Sequence, residues 1–186
     1  MEPEPGPYLQ TVSGRRFNPF DPDPEQIDIE DIANALSNLC RFGGHCRPFI
    51  SIAQHSCHVA DLVAERGGNQ ETVLWALLHD ASEAYLGDLP HPIKHRSELG
   101  RLYSTFEAPL QEAILRRFGL PVEAPPLVKP ADRALLATER RTVAKVAWHW
   151  PELEGFEPLD LELEPWTPDR AREEFLERYE RLSSSR

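Results

Sequence analysis

The chain has little cysteine, no long apolar run and no excess of basic charge, and each shortage closes off a class of function. Its three cysteines, Cys40, Cys46 and Cys57, are odd in number and form no CxxC. They read as buried thiols of a reducing compartment, not as a disulfide framework. No stretch of apolar residues is long enough to span a bilayer. The amino terminus, MEPEPGPYLQ, lacks the basic and apolar regions of a signal peptide, so a cytoplasmic protein is expected. Twenty Lys and Arg stand against 31 Asp and Glu, a net charge of −11. Such a surface repels nucleic-acid backbone and anionic lipid, so neither a polymeric nucleic acid nor a membrane is an expected partner. A small phosphate ester could still bind where a metal and a few basic groups invert the local field. Aromatic residues make up only 9%, strand-type alternation is weak, and there is no internal repeat. What is present is ordinary for a globular domain: 186 residues, 40% hydrophobic and 27% charged.

Prolines dominate residues 1–27, which read as an extended arm laid over a domain of residues 28–186. From Asp28 the spacing turns helical: Ile29, Ile32, Ala33, Leu36, Leu39 and Cys40 recur at steps of three and four, up to a stop at Gly43-Gly44. A second helix is predicted from about Ser51 to Arg66 and a third from Asn69 through Leu86. A fourth carries Leu99, Leu102, Phe106, Leu110, Ile114 and Phe118, with Pro109 expected to kink or split it. A fifth opens near Pro130 and carries Asp132, Leu135, Leu136, Glu139, Val143 and Val146. The last begins at Thr167-Pro168 and shows Ala171, Phe175, Tyr179 and Leu182, a stripe that suits either its own domain or a homo-oligomer contact. The fold class is all-α, a helical bundle.

Polar residues on apolar faces carry the functional signal. Helical spacing points His55 inward with Ile52 and Val59, Asp80 with Leu77 and Ala84, and Asp132 with Leu135 and Leu136. A buried carboxylate without a cation costs several kcal/mol or more, so three helices sending ionisable groups into one core call for a partner. With His79, next to Asp80 in the chain, two imidazoles and two carboxylates without sulfur suit Mn, Fe, Co, Ni or Zn, and Mg less well. Singly, an inward His is more often a hydrogen-bonded core residue, and an Asp a cap or an ion-pair partner.

The string LLHDASEAYLGDLPHPIK, from Leu77 to Lys94, resembles the signature of HD-domain metal-dependent phosphohydrolases. The branch it is most similar to contains bacterial deoxyribonucleoside 5′-monophosphatases and phage dATP triphosphohydrolases. CRFGGH, ISIAQHSCHVADLV around His55 and KPADRALLATE around Asp132 extend the similarity over roughly residues 28–146. The resemblance implies an HD-domain bundle in which His55, His79, Asp80 and Asp132 hold one divalent transition metal. It implies a catalytic Glu83 that activates or orients water or protonates the leaving oxygen, and an Asp88 that assists catalysis or contacts the sugar. Arg41 and Lys94 would contact substrate phosphate, and His45 could line the pocket. The expected activity is hydrolysis of (deoxy)nucleotides, either of monophosphates or of dNTPs such as dATP.

Two other functions remain open on these residues. One is a nucleotide-sensing domain without turnover, which would be expected to lose a ligand or Glu83. The other is an HD-fold di-iron oxygenase, which needs further histidines. His91 and His95 would be the discriminating pair, and His58, three residues after His55, could in principle join the metal.

Overall fold

Eight helices form among residues 6–143 and 148–184, the residues described by the computed structural model. Val146, expected on the stripe of the fifth helix, lies outside them, and so does the start of the arm before Gly6. The helices are α1 (Ile29–Asn38), α2 (Ile52–Glu65), α3 (Gln70–Leu77), α4 (Glu83–Leu86), α5 (His91–Arg96), α6 (Glu98–Arg117), α7 (Val128–Val143) and α8 (Pro168–Ser183). Five open on side-chain caps: Asp28, Ser51, Asn69, Ser97 and Thr167 each accept a backbone N–H of the first turn. The only strands among the described residues are Leu9–Gln10 (β1) and Arg16–Phe17 (β2), an antiparallel pair.

The core forms around α2, which packs against α1, α3, α7 and α8. Ile52, Ala53, Cys57, Val59, Ala60 and Val63 of this helix are fully buried. α8 closes the bundle over α1, α2 and α3, with Ala171 and Phe175 at 0% exposure. Its apolar stripe is therefore satisfied within its own domain. Arg178 of α8 donates Nε and Nη2 to the two oxygens of Asp61 on α2, at 3.0 and 2.8 Å. The arm is pinned to the bundle: Ser13 donates its N–H and hydroxyl to the buried carboxylate of Asp31, each at 2.8 Å. Phe17 is fully buried, its ring 4.3 Å from that of Tyr85. Burying that ring contributes about 1.5–3 kcal/mol.

Four expectations change. α1 ends at Asn38, before Gly43-Gly44, and residues Arg41–Gly44 form a separate tight turn. The third helix breaks in two: Leu78 caps α3, and residues 78–82 make three-residue backbone turns before α4 starts at Glu83. Gln111 of α6 supports that break, donating Nε2 to the Leu78 carbonyl at 2.8 Å and accepting the Ser82 N–H at 3.0 Å. Helix α6 is not split by Pro109, because Pro109 and Thr105 both face solvent, where water can serve the carbonyl the ring leaves unpaired. Leu99 and Leu102 are each 57% exposed, so the apolar face of α6 enters the core only from Leu110 onward. Its first turn lies instead against α5, where a β-carbon at Gly100 would overlap the Lys94 carbonyl. No described helix is long and apolar enough to cross a membrane.

Candidate metal and phosphate site

Each member of the site reaches it from a different part of the chain. His55 sits in the first turn of α2, on a helix end fixed by the Ser51 cap. His79 and Asp80 lie in the turn between α3 and α4, where leaving the helix at Leu78 brings His79 Nε2 to 3.2 Å from Asp80 Oδ2. Neighbouring side chains of a regular helix diverge instead. Asp132 is the fifth residue of α7, its Oδ1 3.2 Å from His55 Nε2. His55, His79 and Asp80 offer ligand atoms that all lie within 4.8 Å of one another. His55 is fully buried and His79 nearly so, while Asp80 and Asp132 keep 23% and 25% of their side chains open toward solvent.

The imidazoles are oriented from behind. His55 Nδ1 donates to Glu139 Oε1 at 2.8 Å, and His79 Nδ1 donates to the Ala76 carbonyl at 2.8 Å. In each ring Nε2 is then left facing the cluster, and both Nε2 atoms are buried without a hydrogen-bond partner. Two ring nitrogens that make no hydrogen bond, each 3.2 Å from a carboxylate oxygen, could take a divalent transition metal; His55, His79 and Asp80 are close enough to share one ion, and Asp132 beside His55 could be a fourth donor.

Arg41 is delivered by the tight turn ahead of α2. Its backbone N–H donates to the Ile50 carbonyl at 2.9 Å, and Cys40 bridges Ser51, closing the turn on itself. Phe42 and Gly43 take left-handed conformations, φ 57° and 60°, to make the reversal. The guanidinium, almost fully buried, donates Nε and Nη2 to Glu139 Oε2 at 3.2 Å, with Nη1 3.8 Å from Asp80 Oδ2. Glu139 was expected only as part of the α7 stripe. The signal for more was a carboxylate two turns beyond Asp132 on the same apolar face.

The charges act strongly on one another. Burial and Arg41 both oppose a proton on His55, but Glu139 and Asp132 outweigh them and lift its pKa to about 9. Burial works against ionisation of Asp80, yet His79, His55 and Arg41 hold it well below the usual carboxylate range. Glu83, at the start of α4, goes the other way: burial, Asp80 and Asp88 push it well up, and its Oε2 is buried without a hydrogen-bond partner.

The remaining expected residues lie outside this cluster. Asp88 follows Gly87, whose carbonyl accepts the Tyr103 hydroxyl at 2.7 Å, and it lies in the fields of Arg41, Asp80 and Lys94. Lys94 donates to Glu107 Oε1 at 2.6 Å. His45 is exposed at the end of the Arg41 turn. His58 packs 5.0 Å from Trp166 and meets the Gln54 amide, so it does not join His55. His91 and His95 pair with each other at 4.3 Å, with His91 Nδ1 3.5 Å from Glu152, outside the cluster. The di-iron alternative gains nothing from them.

A helical bundle with this His/Asp cluster at its core has the make-up of HD-type hydrolases. The chain belongs to the YfbR-like family, an HD-type hydrolase family whose model, described as 5′-deoxynucleotidase YfbR-like, matches residues 43–130. The chain is 38% identical over 181 residues to the uncharacterized protein YfdR of Escherichia coli (strain K12), covering 96% of this chain and 97% of that protein. It is also 37% identical over 152 residues to the uncharacterized protein RCAP_rcc00048 of Rhodobacter capsulatus, covering 80% of this chain and 76% of the relative. Membership implies a nucleotide phosphohydrolase, and HD-type enzymes use divalent metals.

Proposed function

We propose that the protein hydrolyses deoxyribonucleoside 5′-monophosphates to deoxyribonucleoside and orthophosphate. The observation that carries this reading is the convergence of the buried Nε2 atoms of His55 and His79, neither of them hydrogen-bonded, on the carboxylates of Asp132 and Asp80, each 3.2 Å away. When bound there, a divalent transition metal supplies Lewis acidity toward the phosphoryl group and makes water acidic enough to attack near neutral pH. Arg41, clamped on Glu139 through Nε and Nη2, presents Nη1 to a phosphate oxygen. Lys94 adds positive charge from the α5 side, and Asp88 faces the sugar. Glu83, whose carboxyl burial and its acidic neighbours push toward the protonated form, is the group placed to hand a proton from Oε2 to the leaving 5′ oxygen. Water adds to phosphorus as the P–O5′ bond breaks, the Glu83 proton passes to O5′ and a proton from the attacking water returns to Glu83, leaving a neutral 5′-hydroxyl and orthophosphate.

The test uses metal-stripped protein, with Mn, Co, Zn or Mg added back and a panel of nucleoside mono- and triphosphates. Orthophosphate from monophosphates, dependent on metal, is the expected result. Inorganic triphosphate from dNTPs would move the assignment to a triphosphohydrolase. Stoichiometric metal binding without turnover on any substrate would favour a nucleotide sensor.

A further inference from the structure

Arg41, His55 and Glu139 form a buried charged trio between the proposed metal ligands and the proposed phosphate contact. Glu139 is 0% exposed and gives one oxygen to each partner, Oε1 to His55 Nδ1 at 2.8 Å and Oε2 to Arg41 at 3.2 Å. It sits two turns beyond Asp132 on α7, so one helix meets both edges of the same imidazole: Asp132 at Nε2 and Glu139 at Nδ1. Burying three ionisable groups is a costly way to stabilise a core, since an apolar trio of similar volume often does as well. The charges are better explained by what they point at. Resting on the metal-site reading above, we infer that Glu139 is a positioning residue that sets the metal-binding edge of His55 and the phosphate-binding edge of Arg41 together.

The two-oxygen geometry gives the inference a signature. A carboxylate accepts from both neighbours, whereas a carboxamide has one accepting oxygen and must turn its NH₂ toward the other donor. In Glu139→Gln the oxygen stays with the shorter contact, His55, and the NH₂ opposes Arg41. Glu139→Ala removes both supports. The readouts are cobalt affinity of the metal-stripped protein, from its visible spectrum, and inorganic phosphate affinity of the cobalt-saturated protein.

Glu139→Ala is expected to weaken cobalt binding about 10- to 100-fold, the usual effect of losing an outer partner of a ligating His, and to weaken phosphate as well. Glu139→Gln is expected to lose about tenfold in phosphate affinity, as for removal of one charged contact, with a smaller loss for cobalt. Glu139→Gln preserves volume and stays informative where Glu139→Ala does not fold. Lower melting temperatures with both affinities within about twofold of wild type would overturn the inference, and so would a change in only one affinity in Glu139→Ala. Asp80→Ala separates the two readings. If it loses cobalt while the Glu139 variants keep theirs, only the Glu139 role fails. If it binds cobalt like the wild type, the metal site itself is wrong.

Discussion

The deep half of the site and its outer half are built by different means. His55, Asp132 and Glu139 stand on regular helices, α2 and α7, that pack directly on each other in the bundle. Asp88, Lys94 and His45 stand on turns or on the short α5, half-buried or exposed. The deep groups find hydrogen-bond partners within the protein before any ligand arrives, apart from Glu83 Oε2 and the two Nε2 atoms that face the cluster. Lys94 is occupied by Glu107. Packing fixes the geometry of the proposed metal ligands, and the proposed substrate contacts sit on segments the core does not dictate.

The comparison predicts graded losses as changes move from the deep half outward. Asp80→Ala should abolish metal binding and lower kcat/KM by about 10³-fold or more, read by metal analysis and phosphate release. Glu83→Gln should lower kcat by about 10²–10⁴-fold with metal content unchanged. Its loss should shrink on p-nitrophenyl phosphate, whose leaving group needs no proton; an equal loss on both substrates would assign Glu83 to the attacking water instead. Phe175→Ala, in the core beneath α8, should cost about 3–5 kcal/mol of stability in denaturant unfolding. It should leave the activity of the folded fraction close to wild type, because it touches scaffold and not chemistry. Lys94→Ala should raise KM about three- to tenfold with kcat nearly unchanged, a loss no larger than about 1.4 kcal/mol, as befits a partly exposed charge already shared with Glu107. A Lys94 effect as large as that of Glu83 would erase the distinction between the halves.

The all-helical fold was legible because its elements are amphipathic and capped: Asp28, Ser51, Asn69 and Thr167 mark helix starts that the structure keeps. His55 and Asp80 were legible as polar residues on apolar stripes, and His79 through the His-Asp string that carries the resemblance; the structure brings the three together. Periodicity could not show that the helix carrying His79 and Asp80 breaks at Leu78, because the support comes from Gln111, some thirty residues away in sequence. It likewise promised a buried Leu99 and Leu102, since spacing reports a face without saying how far the core extends along it. Glu139 hid because a glutamate inside a helix is ordinary until a distant turn delivers Arg41 to it.

The most direct test is calorimetric titration of manganese or cobalt into metal-stripped wild type and Asp132→Ala. Asp132 is the fourth proposed ligand, reached from α7 and lying beside His55. One ion bound per wild-type chain, with binding and hydrolysis both lost in Asp132→Ala, is the predicted result. A variant that still takes up one equivalent of metal and still releases phosphate would contradict the four-ligand site.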